Sequence, residues 1–311
     1  MFKFILKKIF ISFFSIFIVM SITFVLMKTI PGDPFTTEQN MTKEVMDSLY
    51  SHYGLDKPLY IQYFKYIKSF FKLDFGSSFI YEGRTVNKII KDGFPISLFL
   101  GMEALLICIP VGTFLGSLAA FKKNKKTDAL IMTIAIIGIS LPAFLFATLL
   151  QYFFSVKLKL FPIARLTSFS STILPAISLV LLPTAYIARL IRNSVTETLN
   201  KDYIKLAKVK GLSNKEIFFK HVLKNSMLPL VAYLGPLSAH VITGSFVIEK
   251  IFAIPGIGFW LVSSISLRDY SVILGLSIFF SFILIVIMML VDILYRLIDP
   301  RIEKENAGNT L

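Results

Sequence analysis

Residues 200–231 read NKDYIKLAKVKGLSNKEIFFKHVLKNSMLPLV. From Asp202 to Lys210 the pattern allows a short amphipathic helix, with Tyr203, Leu206, Ala207 and Lys210 along one stripe. Gly211 fits the position just past a helix end, where a left-handed backbone closes the helix at little cost. Ser213 and Glu216 have the spacing of a capping box, so a second helix is expected to start there. The product is helix, glycine break, helix, rich in lysine and set between two long apolar stretches. A segment this charged does not sit in hydrocarbon. Two readings stay open on pattern alone: a basic amphipathic loop lying on acidic lipid, or a segment that docks on a partner.

The rest of the chain confirms the membrane setting. Of its 311 residues 55% are hydrophobic, with 31 Phe, and the mean hydropathy is +0.72. That is not the profile of a water-soluble globule. The net charge is +14. In a membrane protein an excess of Lys and Arg marks cytoplasmic loops and contact with anionic lipid, so no nucleic-acid partner is inferred. The single cysteine, Cys108, lies in an apolar run and excludes both an internal disulfide and a Cys-based metal cluster.

Six stretches are apolar enough to span about 30 Å of hydrocarbon. They are residues 9–27, 95–121, 129–156, 173–191, 226–248 and 272–291. Lys3, Lys7 and Lys8 precede the first, and no small-residue cleavage site follows it, so it reads as a retained helix and not a secretory leader. Residues 29–93 are polar and form the longest soluble segment, containing an aromatic amphipathic helix at 59–72 whose rings suit a membrane interface. The second span holds Pro110 and Gly112-x-x-x-Gly116, a spacing that lets helices approach closely. Pro142, Pro175 and Pro183 lie in later spans and can kink them. Glu103 in the second span and His240 in the fifth are candidates for a transport path, with packing roles as the alternative.

Six spans place both termini on one side. With the N-terminus inside, the short pieces at 1–8, 122–126, 189–224 and the tail hold 19 of the 33 Lys and Arg, as the positive-inside rule requires. Residues 200–224 then face the cytosol. No phosphate-binding Gly-x-x-x-x-Gly-Lys-Ser/Thr loop occurs, nor His-Glu-x-x-His, nor Gly-x-Ser-x-Gly. His52, His221 and His240 are scattered and form no metal site. The expectation is a non-catalytic membrane component with no cofactor and no metal.

Several motifs, in order along the chain, carry a resemblance. Pro31-Gly-Asp-Pro34, Tyr53-Gly-Leu-Asp-Lys-Pro58 and Asp74-Phe-Gly-Ser77 occupy the first third. Glu249-Lys-Ile-Phe-Ala-Ile-Pro-Gly-Ile-Gly258, Arg268-Asp-Tyr270 and Asp292-Ile-Leu-Tyr-Arg-Leu-Ile-Asp-Pro-Arg301 occupy the last. From residue 1 to about 303 the chain resembles the integral membrane subunits of the dipeptide, oligopeptide and nickel ABC importer family. Arg84-Thr-Val-Asn-Lys-Ile-Ile90, Gly93-Phe-Pro-Ile-Ser97, Tyr233-Leu-Gly-Pro236 and Thr243-Gly-Ser-Phe-Val247 are similar to the B-type permease of its oligopeptide branch. The 200–224 loop resembles the coupling loop of such importers, matching its general motif at Ala207, Gly211 and Leu223 and departing from it at Lys205, Leu206, His221 and Lys224.

The resemblance implies an all-α membrane protein with six transmembrane helices in the type I ABC importer permease fold. Its parts would be a first helix at 1–28, an extracytoplasmic segment at 29–93, a permease core at 94–303 and a cytoplasmic tail at 304–311, in a bacterial plasma membrane. It implies a second homologous permease subunit, two ATP-binding subunits and an extracytoplasmic peptide-binding protein as partners, besides membrane lipid. Asp202, Tyr203, Leu206, Ala207, Lys210, Gly211, Leu212 and Ser213 would meet the ATPase subunit. The implied cargo is an oligopeptide. The alternatives are the same architecture importing dipeptides, nickel or another metal complex, or glutathione, and a scaffold or channel that works without ATPases.

Overall fold

The computed structural model describes residues 2–29, 35 and 43–298, with side chains at 6, 8–29, 35, 44–213 and 215–293. Pro31-Gly-Asp-Pro34 and the tail 304–311 lie outside the described residues, as does the end of the Asp292–Arg301 motif. The elements are α1 (Phe2–Thr29), α2 (Lys43–Tyr53), α3 (Leu59–Phe71), α4 (Val86–Phe121), α5 (Lys126–Ser140) and α6 (Ala143–Leu150), which runs on as a π-helical stretch, Gln151–Lys157. Then come α7 (Ser170–Leu199), α8 (Asp202–Val209), α9 (Asn214–Glu216) with a π-helical continuation Ile217–Val222, and α10 (Leu223–Ser226). The chain ends with α11 (Leu228–Ile242), α12 (Phe246–Ile251), α13 (Ile257–Leu267) and α14 (Tyr270–Ile298). Among the described residues the β-type pairing is an isolated bridge, Ser77 with Thr85.

Five helical stretches are long and apolar enough to cross a bilayer: Lys8–Thr29, Val86–Phe121, Ser170–Leu199, Leu228–Ile251 and Tyr270–Ile293. The sixth expected span, 129–156, is not one rod. It consists of α5 and the α6 stretch, bent by 101°. The break falls where Leu141 is extended, at φ −81°, ψ 121°, before Pro142, whose ring disfavours the helical conformation in its neighbour. Pro175 and Pro183 lie inside a continuous α7, so neither interrupts its helix as Pro142 does. The second span begins at Val86, earlier than the apolar stretch at 95. Its 36 residues run about 54 Å at 1.5 Å each, longer than hydrocarbon requires, and the surplus first turns carry exposed Lys88, Lys91 and Asp92.

The chain divides into two compact units. The first takes residues 1–97 and 255–285. Val86, Ile89, Ile257, Val272, Ile273 and Leu276 form its core, and Ile16, Met20 and Ile278 form a second cluster under Tyr66, Ile67 and Phe70 of α3. The aromatic helix α3 is thus half packed: Tyr63 hydrogen-bonds Ser21 at 2.6 Å, whereas Tyr60 and Phe64 face outward. The family motifs prove to be ties in this unit. In Asp74-Phe-Gly-Ser77, Asp74 accepts from the Gly76 N–H at 3.0 Å, while Phe75 N–H donates to Asn87 at 2.9 Å. In Arg268-Asp-Tyr270, Arg268 closes α13 at φ +60°. Asp269, fully buried, accepts from Val272 N–H at the start of α14, from Phe79 N–H and from the Ser78 hydroxyl.

The second unit takes residues 98–254 and 286–311. Gly112 and Gly116 lie against α7. A Cβ at Gly112 would come within 2.8 Å of Ile187 Cβ, and one at Gly116 would run into the Ala188 carbonyl. The close approach expected from that spacing is therefore present, with α7 as the partner. At one end of the same unit Arg192 grips Asp128 with two bonds, of 2.9 and 2.8 Å, and Asn124 N–H donates to the same carboxylate at 3.0 Å. At the other, Gln151 Nε2 donates to Ile163 and Ile251 carbonyls, and Arg165 N–H to the Phe252 carbonyl, which pins the loop after α12.

Candidate functional site

The lysine-rich loop folds as the pattern predicts at its breaks and differently on its faces. α8 ends at Val209, and Gly211 takes φ +78°. The Gly211 and Leu212 N–H groups return to the Lys208 and Ala207 carbonyls, the closure a left-handed residue permits. Ser213 and Glu216 form the reciprocal box: Ser213 N–H and hydroxyl donate to Glu216 Oε2 at 3.2 and 3.0 Å, and Glu216 N–H reaches Ser213 Oγ at 3.3 Å. These Ser213 bonds, then Lys220, hold the Glu216 carboxyl below the ordinary carboxylate range. The helix so started is regular for one turn only and continues with π geometry.

The buried stripe of α8 is Ile204 and Ala207, correcting the expected stripe of Tyr203, Leu206, Ala207 and Lys210. Ile204 and Ala207 join Ile217 and Val222 in a core with Ile191 and Val195 of α7. Leu212 packs against that core. Tyr203, Leu206 and Lys210 face outward, as do Asp202 and Ser213. Asp202 pairs with Lys205 at 2.8 Å on the surface. Ser226 Oγ donates to Thr198 at 3.1 Å, a buried tie from α10 back to α7. The loop is therefore anchored on one side and open on the other. Its open side is apolar as well as basic: Leu206 is 55% exposed and Val209 84%.

Sequence reasoning missed Val209 and Ile204 because it placed the stripe one register away. Both are β-branched, yet Ile204 is fully buried and Val209 84% exposed, so residue type alone does not separate their roles. It also missed the Asp128–Arg192 pair, because the partners are far apart in sequence. Glu103 of α4 lies beside Thr172, half-buried, with Oε2 lacking a partner among the described residues. His240 is on an exposed face of α11. Among the described residues no hydrogen bond joins Glu103 to His240. Tyr186 and Tyr233 stack at 4.5 Å between ring centres on α7 and α11.

Apolar helices long enough to cross a bilayer and a basic loop packed on the end of α7 mark an integral membrane protein. The chain belongs to the family described as "Binding-protein-dependent transport system inner membrane component", whose model matches residues 112–304. A companion model for the N-terminal part of such components matches residues 1–101. Among its relatives, the dipeptide transport system permease protein DppB of Bacillus subtilis is 46% identical over 98% of this chain and 99% of its own. The oligopeptide transport system permease protein OppB of Haemophilus influenzae is 40% identical over 97% and 100%. In fold, the chain resembles an amino acid ABC transporter crystallised with histidines, at TM-score 0.55 and 14% identity over 68% of this chain and 94% of that one. It also resembles the inward-facing MetNI methionine ABC transporter, at 0.53 and 16% over 68% and 96%. The chain is an integral membrane permease subunit of a bacterial ABC importer, with the type I permease fold.

Proposed function

We propose that the chain forms half of the pathway by which an ATP-driven importer takes peptides into a bacterial cell. The observation that carries this reading is the near full-length similarity to permeases named for dipeptides and oligopeptides, at 46% and 40% identity. A second homologous permease would complete the pathway, two ATPase subunits would bind on the cytosolic side, and an extracytoplasmic binding protein would deliver the peptide. Both termini and the 200–224 loop lie in the cytosol on this reading, and residues 29–93 on the outer side, in keeping with the distribution of Lys and Arg.

The loop is the coupling element. Its open side, with Tyr203, Leu206, Lys210 and Val209, suits a docking surface, because exposed apolar side chains ringed by charge are what a partner covers. Its closed side, Ile204 and Ala207, passes a displacement to α7. Gly211, Leu212 and Ser213 keep the two helices at a fixed angle. Glu103 and His240 are proposed to border the path, where a carboxylate and an imidazole can meet a passing peptide's charged ends. ATP hydrolysis would lie in the partner subunits, and a cargo of varied side chains calls for few specific contacts.

The test is uptake of a labelled tetrapeptide in cells lacking the chain and any parallel peptide importer, with the wild-type chain added back. Restored uptake, competed by peptides, supports the reading. Competition by dipeptides alone narrows the cargo to those. Unchanged uptake on deletion, or competition by nickel complexes and not by peptides, refutes the peptide assignment.

A further inference from the structure

The first unit holds a cavity of about 270 Å³ whose lining includes neither Glu103 nor His240. Its floor is apolar, built by Phe24 and Met27 from the last turns of α1, Phe70 of α3, and Leu274 and Ile278 of α14. Its rim is polar, with Lys28, His52, Lys65, Ser69 and Asp74. Both α1 and α14 are membrane spans, and the cavity lies at the last turn of one and the first turns of the other. The rim comes mainly from the segment between α1 and α4, outside the apolar spans. A polar mouth above an apolar floor, at the boundary of the hydrocarbon, has the shape of an amphiphile.

The charges point to the head of that amphiphile. Lys28 Nζ lies 5.9 Å from the centre of the Phe24 ring, and Lys65 Nζ lies near Gly54. Neither ammonium pairs with a carboxylate among the described residues. The one acid of the rim, Asp74, already accepts the Gly76 N–H. The Tyr66 hydroxyl, in the cavity wall, is buried and has no partner among the described residues. A phenol seldom stays so, since an unmade buried hydrogen bond costs stability. Two ammonium groups and a hydroxyl without partners among the described residues, around an apolar floor, call for an anion carrying an apolar tail.

We propose that this cavity seats the headgroup of an anionic phospholipid. Lys28 and Lys65 hold the phosphate by charge-assisted hydrogen bonds, the Tyr66 hydroxyl donates to an ester or phosphate oxygen, and the acyl chains leave along Met27 and Leu274, the part-exposed apolar residues of the lining. The volume fits this division, because it is just short of the range of about 300–1,000 Å³ that encloses a whole small ligand. The cavity takes the head and the start of the chains, and the rest stays in the bilayer. A free phosphate would satisfy the rim and leave the floor facing water. The orientation proposed above decides only the leaflet, which is then the outer one.

The experiment uses the complete transporter in nanodiscs containing phosphatidylglycerol with a trace of a headgroup-photoactivatable analogue, and maps the label by peptide mass spectrometry. Label is expected in the peptides covering residues 50–79. It falls about tenfold or more in K28Q/K65Q, the worth of at least one charge-assisted bond. It persists in Lys72→Gln, which alters an exposed lysine of the same segment that does not line the cavity. Ser69→Phe fills the cavity while keeping both lysines, and it must lose the label too, with the melting temperature of each variant recorded to separate lost binding from lost folding. Equal labelling of wild type and K28Q/K65Q overturns the proposal, as does labelling suppressed by inorganic phosphate, which would make the site one for a free anion. Peptide uptake, measured separately, decides the transport reading whatever the label shows.

Discussion

Gly211 offers a clean separation of turn geometry from partner contact. Its φ is +78°, and a Cβ built on it meets nothing within 4 Å. Substitution therefore carries a backbone cost without a steric one. An L-residue held left-handed costs about 1–2 kcal/mol, a factor of about 5–30 in the population of the native turn. Asn bears that conformation best among non-glycine residues, Ala pays the full cost, and a β-branched Val pays more. The expected order of turn integrity is Gly, Asn, Ala, Val. Limited trypsin digestion of the purified transporter at Lys208 and Lys210 reads that integrity, and peptide uptake per transporter reads coupling. Uptake is expected to follow the same order, with Asn close to wild type. Gly211→Asp shares the backbone tolerance of Asn and adds a negative charge to the open side. If Asp keeps the protection of Asn and loses uptake, the open side meets a partner. If Asn is cleaved as fast as Val, the left-handed closure is not what Gly211 supplies and the reasoning fails.

Further outcomes follow from the ties around this loop. Arg192→Met leaves the buried Asp128 carboxylate without its bidentate partner and is expected to cost about 3 kcal/mol in denaturation of the detergent-purified chain. The D128L/R192M double variant should recover most of that loss, and a double variant as unstable as the single one would show that the charge is not the cause. Gly116→Leu should abolish accumulation of the chain in the membrane, because its Cβ runs into the Ala188 backbone. Gly138→Ala should cost far less than Gly116→Leu, since Ala185 Cβ at 3.3 Å and Leu181 Cδ1 at 3.4 Å need give only a few tenths of an ångström; quantitative immunoblotting of membranes compares the two. The Ser213–Glu216 box should open in acid. Its carboxyl titrates below the ordinary 4.5, so the stabilisation is complete above that value and is lost as pH falls through the lowered folded value. Exchange of the Ser213 amide, corrected for its intrinsic pH dependence, should rise across that window, and Glu216→Gln should flatten the profile.

The membrane class, the number of apolar stretches and the closure at Gly211 were legible because each is a local property. Nineteen uncharged residues at 9–27, a glycine after an amphipathic run and Ser-x-x-Glu before another all act on their own neighbourhood. What the pattern hid depends on partners distant in sequence. Tyr203, Leu206, Ala207 and Lys210 share a helical stripe, yet α7 covers Ile204 and Ala207, and periodicity alone does not say which side a neighbour will take. The bend at Leu141–Pro142 was hidden for another reason. One proline breaks the helix before α6 while two others lie inside the continuous α7, so a proline in an apolar run does not by itself say which outcome follows. The motifs of the first and last thirds gave family membership without their roles. Nothing in Arg268-Asp-Tyr270 as a string says that Asp269 is a buried tie joining the 78–79 loop to the start of α14.

The two-sided construction of α8 bears on how force could pass through it. A helix of eight residues is too short to hold its own shape in water, so its rigidity must come from what it packs on. Ile204 and Ala207 supply that by sharing a core with Ile191 and Val195, and the bond from Ser226 to Thr198 fixes the return path. Arg192 lies on the same stretch of α7 and is clamped to Asp128 at the start of α5. On the coupling proposed above, a push on Leu206 or Val209 would meet a packed assembly of α7, α5 and the loop, and close-packed cores resist gradual deformation, so it would move as a body. Truncating Ile204 to Ala would leave the outward face chemically intact while loosening its anchor. Partner binding should then survive and peptide uptake fall, measured as co-purification of the ATPase subunits against uptake per assembled complex. Loss of both together would mean that the anchor and the docking face are not separable, and the rigid-body account would have to be abandoned.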